Sequence, residues 1–247
     1  MRDFVAKRFA AAGPSVMASA AAEKNNYPDM IDLSIGDTDF TTDERIIRAA
    51  MADAKAGHTH YTDPQGDPEL IGAIRQFYAA EYHMPLEKEQ VFVTASSCFG
   101  MALALLTLLD PGDEVILFSP YFSPYKEQVE LAGGTAVEVP TFEADGFGID
   151  PARLEAAITP RTKALILNNP CNPTGAAYDM DTYRAIAAAA KMHDLVVLAD
   201  EIYTDYMYET GFLPLRALPG MAKRTVTLNS FSKNYLMTGW RIGHIIA

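Results

Sequence analysis

The chain has 247 residues, enough for one large α/β domain with a sizeable core or for two small domains. Its 32 acidic residues outnumber 20 lysines and arginines, giving a formal charge of −12, and no basic cluster could follow a phosphate backbone, so no nucleic-acid partner is expected. The two cysteines, Cys98 and Cys171, are far apart in sequence and lack metal-ligand spacing, which suits a reducing compartment, the cytoplasm, better than a disulfide framework or a metal site.

From the N-terminus, Arg2, Lys7 and Arg8 precede an alanine-rich stretch ending near Ala18-Ser19-Ala20, a faint imitation of a secretory leader. Gly13-Pro14 interrupts that stretch and Asp3 sits in what would be its positive region, so no leader is expected. A change of character near residue 40 divides an N-terminal arm with part of a small domain, 1–40, from a large domain, 41–247. Helices are predicted over 68–82, 98–109, 124–132, 151–158 and 179–192, several opening on Asp or Pro in a capping context. Between them lie β-rich runs at 91–94, 114–118, 135–139, 164–167, 195–198 and 225–228, with a seventh strand over 240–247. Several of these runs are apolar throughout rather than alternating, as expected of parallel strands covered on both faces. The run from Met101 to Leu109 stops at Asp110-Pro111-Gly112, and nothing reaches the roughly 18 apolar residues of a membrane helix.

Chemistry concentrates where these strands end. After the sixth comes Asn229-Ser-Phe-Ser-Lys233-Asn-Tyr-Leu-Met-Thr-Gly-Trp-Arg241-Ile-Gly243, in which Ser230, Ser232, Lys233 and Arg241 form a credible anion site. After the fourth comes Asn168-Asn-Pro-Cys-Asn172-Pro-Thr-Gly175, which by itself indicates a turn. Asp200 closes the apolar fifth strand with Tyr203 three residues on, and a carboxylate there must find a partner or bear a desolvation penalty; a helix cap is the bland alternative. Ser96-Ser97-Cys98 joins the first strand to a helix N-terminus, which favours a phosphate, or else simply caps the helix.

Taken together, Ser-x-Ser-Lys followed by Gly-Trp-Arg-Ile-Gly, with the Asn-Pro-x-Asn-Pro-Thr-Gly loop, resembles the class I/II aminotransferases, which carry pyridoxal phosphate, over essentially the whole chain. The resemblance implies an α/β fold of three layers, a mostly parallel seven-stranded sheet with helices on both faces. It makes Lys233 the Schiff-base residue, Ser230 and Arg241 phosphate ligands, and Ser232 a weaker phosphate ligand. It gives Asn172 and Tyr203 to the cofactor's phenolic oxygen and Asp200 to its ring nitrogen. Asn172 and Gly36 would also border the substrate, Gly36 through Gly36-Asp-Thr-Asp-Phe40, where the family has Gly-Glu-Pro-Asp-Phe.

By the same resemblance, Ser96, Ser97 and Cys98 occupy the phosphate loop. They depart there from the family's Gly-Ala or Ser-Gly-Thr pattern. Phe122 best matches the ring that stacks on the pyridine, with Tyr121 as its neighbouring alternative. Tyr61 matches a tyrosine that reaches the phosphate of the adjacent subunit, which implies a homodimer. The implied reaction transfers an amino group between an L-amino acid and a 2-oxo acid; a carbon–sulfur β-lyase or a non-catalytic cofactor-binding fragment are the alternatives. The cofactor works as an electron sink, held open by a carboxylate at its ring nitrogen, while Lys233 carries the proton at the substrate Cα. Family members continue into a C-terminal small domain supplying an arginine for the substrate carboxylate. No residue here takes that role, so a fragment that binds amino acids poorly is expected.

Overall fold

The computed structural model describes residues 4–6, 13, 19, 22–23, 26–27, 29–31, 35–209 and 211–247. Arg2, Lys7, Arg8, Ala18 and Ala20 of the leader-like stretch lie outside them, as do Asp32, Leu33 and Ser34 ahead of Gly36. Contacts divide the chain into Met1–Asp39 and Phe40–Ala247. In the first unit the described residues are exposed or half-buried, with short turns such as that from the Met30 amide to the Tyr27 carbonyl, 3.0 Å.

The second unit holds seven strands: β1 (Val91–Thr94), β2 (Glu114–Ser119), β3 (Thr135–Pro140), β4 (Thr162–Asn168), β5 (Val196–Asp200), β6 (Thr225–Ser230) and β7 (Gly243–Ile246). They form one sheet in the order β1-β7-β6-β5-β4-β2-β3. Neighbours from β6 through β3 pair in parallel, whereas β7 is antiparallel to both β1 and β6, so six strands share one direction and β7 opposes them.

Six described helices accompany the sheet: α1 (Glu44–Lys55), α2 (Pro68–Tyr82), α3 (Ser97–Leu108), α4 (Pro124–Leu131), α5 (Pro151–Ala157) and α6 (Met180–Met192). Asp67, Asp150 and Asp179 cap α2, α5 and α6 by accepting from backbone amides of the first turn, as the Asp and Pro signals indicated. Helix α1 was not anticipated. It is capped by Asp43 and laced by Arg48 to Glu44, but it buries none of its residues, so its apolar positions form no core stripe.

Side chains alternate across each strand, and both faces are covered. Leu165 and Leu167 of β4 and Val197 and Ala199 of β5 pack with Leu154 of α5 and Ile186 and Ala190 of α6. On the other face Ala164 and Ile166 of β4 and Leu198 of β5 meet Met101 and Leu105 of α3 and Val129 of α4. This double coverage explains why these runs read as continuously apolar. Among the described residues no helix is long and apolar enough to cross a membrane.

Candidate active site

Because the parallel strands share a direction, the loops following β1, β2, β4, β5 and β6 all emerge at one edge of the sheet. Asp200 is the last residue of β5, in register with Asn168 of β4. It is 5 % exposed. Its Oδ2 accepts a 2.5 Å hydrogen bond from the Tyr125 hydroxyl of α4, while its Oδ1 is buried without a hydrogen-bond partner. Burial pushes the carboxyl up to about 6, against the opposing pull of Tyr125 and of the Ile202 amide. Asp200 is therefore not a helix cap: one of its oxygens is used, and the other is held ready for a donor.

Asn168 fixes both neighbours of this carboxylate. Its Nδ2 donates to the Asp200 carbonyl at 3.0 Å, and its Oδ1 accepts from the Asn172 amide at 2.7 Å, which tightens the loop after β4. Gly175 closes that loop at φ 73°, and its amide reaches the Cys171 carbonyl at 2.8 Å. Asn172 then donates from Nδ2 to the Tyr203 hydroxyl at 3.4 Å. Burial, and secondly Asp200, push Tyr203 up to about 12, so it remains a neutral donor. The Lys233 ammonium lies 6.0 Å from the centre of the Tyr203 ring. Asp200, Tyr203, Asn172 and Lys233 thus converge, as the motifs implied.

The second half of the site is a cradle around Gly243, which pairs with Thr94 of β1 on one side and with Ser230 of β6 on the other. A Cβ at Gly243 would lie 2.6 Å from the Ser97 amide nitrogen and 2.8 Å from the Asn229 carbonyl. Only glycine lets the start of α3 approach the end of β6 this closely. Ser96 holds the approach in a strained conformation, φ 95°, and Arg241, on the other side, sits at φ 60°. The Ser96 hydroxyl accepts from the Phe99 amide at 3.3 Å, so it does cap α3, while the amides of Ser97 and Cys98 lie in the first turn, where a helix offers no carbonyl partner. Ser230 accepts at Oγ from the Ser232 amide, 3.2 Å, and both serines are buried. Cys98 lies within electrostatic reach of both Asp200 and Arg241, and burial raises its thiol. The Ser96-Ser97-Cys98 turn and the Asn229-Ser230 strand end thus meet at Gly243, with Ser232 bonded to Ser230 and Arg241 within electrostatic reach of Cys98. A helix N-terminus with a nearby guanidinium is suited to an anion.

Phe122 packs edge-on against Tyr125, ring centres 5.5 Å apart, beside the Asp200 contact. Tyr121 instead sends its hydroxyl to Glu138 on β3 at 2.9 Å, which separates the two aromatic candidates. Tyr61 is not brought to this site within the chain: it is fully exposed, on a segment anchored by the Val93 amide donating to the Gln65 carbonyl at 2.9 Å. Gly36 is exposed and belongs to the other unit. Glu201, next to Asp200, is buried and accepts from the Leu215 amide at 2.9 Å, a structural contact; burial pushes it up to about 8. Two residues that motif reasoning did not assign to the site are Tyr125 and Asn168. Both hold Asp200, Tyr125 from the first turn of α4 and Asn168 from the last position of β4, and neither has a local signal that points to that carboxylate.

Comparison with known proteins gives the family of the chain. A sequence model of the aminotransferase class I and II family matches residues 28–247. An aspartate/prephenate aminotransferase of Thermus thermophilus is 41 % identical over 231 residues, covering 93 % of this chain and 59 % of that protein. An arginine–pyruvate transaminase of Pseudomonas aeruginosa is 37 % identical over 227 residues, 92 % of this chain and 58 % of its own length. The solved structure of an aspartate aminotransferase from Thermus thermophilus with maleate superposes with a TM-score of 0.93 at 37 % identity, over all of this chain and 65 % of that one. The chain thus spans about 59 % of the length of such relatives.

Proposed function

The chain belongs to the aminotransferase class I and II family, and from that premise we propose that it forms the cofactor-binding body of an enzyme moving an amino group between an L-amino acid and a 2-oxo acid. The observation that carries this reading is the partnerless Oδ1 of Asp200, buried beside Tyr203, Asn172 and Lys233. These residues fit pyridoxal 5'-phosphate, the cofactor of this family. Asp200 would hold a proton on the ring nitrogen. Asn172 and Tyr203 would donate to the phenolic oxygen, and Phe122 would cover the ring. The amides of Ser97 and Cys98, with Ser96, Ser230, Ser232 and Arg241, would hold the phosphate at the Gly243 cradle. Bound there, pyridoxal phosphate supplies a sink for the electron pair left when a substrate Cα loses its proton.

Lys233 would carry the cofactor and afterwards move the proton at the substrate Cα as general acid and base. Asn172 would border the substrate. The domain division follows the same reading: 1–40 as an arm with part of a small domain, 41–247 as the cofactor-binding domain. The test is an absorbance titration of the chain loaded with pyridoxal phosphate. L-Aspartate or L-arginine should remove the visible band and 2-oxoglutarate should restore it, with glutamate formed. Release of ammonia without a 2-oxo acid acceptor would instead indicate elimination.

A homodimer in the cytoplasm completes the proposal. Helix α3 is apolar on all sides, and Phe99, Leu103 and Leu106, spaced along one outward stripe, are 51 %, 39 % and 54 % exposed. A second copy covering this stripe would let Tyr61 reach the neighbouring phosphate site. Sedimentation should give twice the mass of one chain, and a single-chain mass would overturn the dimer.

A further inference from the structure

Asp200 sits in surroundings that work against its charge, and one side chain offsets them. The titratable groups facing it are Tyr125 from α4, Cys98 from α3, and Glu201 and Tyr203 on its own strand end; Cys171, in the loop after β4, lies by Tyr125 and Tyr203, and Arg241 and Lys233 stand beyond Cys98 and Tyr203. Burial favours the neutral forms of Cys98 and Tyr203 and pushes Glu201 towards neutrality. Among the described residues only Tyr125 places a side-chain donor on the carboxylate, at 2.5 Å, with its ring buried and braced by Phe122. The Tyr125 hydroxyl is held well above the ordinary tyrosine range, by burial and then by Asp200, so it stays protonated and donates.

We propose that Tyr125 is a positioning residue for Asp200: its hydroxyl occupies Oδ2, favours the ionised carboxylate in a buried site, and turns the partnerless Oδ1 towards the ring nitrogen. A hydrogen bond to the charged form lowers a carboxyl's titration midpoint, so removing it raises that midpoint. The proposal rests on the assignment of Asp200 to the ring, and the two are separable by experiment.

The experiment is a carbon-13 NMR titration of aspartate carboxyls in the chain without cofactor. Asp200→Asn assigns the signal, and Tyr125→Phe keeps the aromatic ring against Phe122. The Asp200 midpoint in Tyr125→Phe should rise by about one pH unit or more. An unmoved midpoint would overturn the proposal. Should Tyr125→Phe fail to fold, the wild-type chain still decides: a downfield, slowly exchanging tyrosine hydroxyl proton that disappears as Asp200 is protonated supports the contact, and its absence overturns it. Loading with pyridoxal phosphate should then displace the Asp200 signal. An unmoved signal on loading would remove Asp200 from the ring, a failure distinct from an unmoved midpoint in Tyr125→Phe.

Discussion

Replacing Lys233 with alanine is expected to abolish covalent attachment of pyridoxal phosphate. The visible band seen with the wild-type chain should vanish, and borohydride reduction followed by peptide mapping should find label at residue 233 in the wild type and nowhere in the variant. Transfer of the amino group should fall by at least about 10³-fold, because the same amine serves as the attachment point and as the proton carrier. Lys233 is half-buried in a turn that the structure ties down: the Tyr206 hydroxyl donates to its carbonyl at 3.4 Å and the Met237 amide reaches the Ser232 carbonyl at 3.0 Å. Alanine leaves those backbone contacts intact, so circular dichroism should be unchanged. Lys233→Arg keeps the positive charge without a nucleophilic amine and should fail in the same way. Label persisting on another lysine in Lys233→Ala would remove Lys233 from the proposed chemistry.

Asp200→Asn is expected to separate activity from stability. An amide is nearly isosteric with the carboxylate and its oxygen still accepts from Tyr125, but it no longer holds a full negative charge opposite the ring nitrogen. Loss of one preorganised electrostatic partner should lower the rate of substrate Cα deprotonation by about 10²–10³-fold, read as loss of deuterium from a Cα-labelled amino acid. Stability should move the other way. The folded carboxyl sits at about 6 against an ordinary 3.8, so ionised Asp200 disfavours the folded chain without cofactor by about 3 kcal/mol at neutral pH. Because the folded value is the higher one, that cost develops as pH rises from about 4 to about 6 and is complete above 6. The Asn variant should therefore unfold at higher temperature than the wild type at pH 7.5 and show little gain at pH 4. An equal or lower midpoint at pH 7.5 would contradict the burial argument, and an undiminished exchange rate would contradict the role at the ring.

The sheet was legible in the sequence because its strands are covered on both faces. Runs such as 164–167 and 195–198 are apolar without a break, and they stand in β4 and β5 with only their polar ends, Thr162, Asn168 and Asp200, extending or shifting the bounds. Helix α1 lies outside the predicted helices although the sequence carries its signals, an Asp43 cap and Ile46, Ile47 and Ala50 half-buried on one face; none of its residues is fully buried and it joins no core cluster. In the site, Lys233, Asp200, Tyr203 and Asn172 stood in recognisable motifs at strand ends. The contact between Tyr125 and Asp200 spans 75 positions and exists only because α4 and β5 meet across the sheet, which no local pattern encodes. Ser96 shows a third case: of the two sequence alternatives, the cap is what its hydroxyl makes, and the anion loop belongs to the proposed function. Its hydroxyl caps the helix, and its strained backbone leads into the amides that face the cradle.

The position of β7 bears on when this site comes into being. It follows the other six strands in sequence, yet it lies between β1 and β6, and its first residue, Gly243, touches both the Ser96-Ser97 turn and Asn229. A nascent chain that has emerged only as far as Arg241 holds every proposed cofactor residue, but its first strand has no partner in the sheet and the two walls of the cradle around Gly243 are not yet joined. Closure awaits insertion of one short antiparallel strand that bridges residues about 150 positions apart, a non-local pairing of the kind that folds slowly. The strand that joins β1 to the rest of the sheet is thereby also the strand that brings the Ser96-Ser97 turn to Asn229.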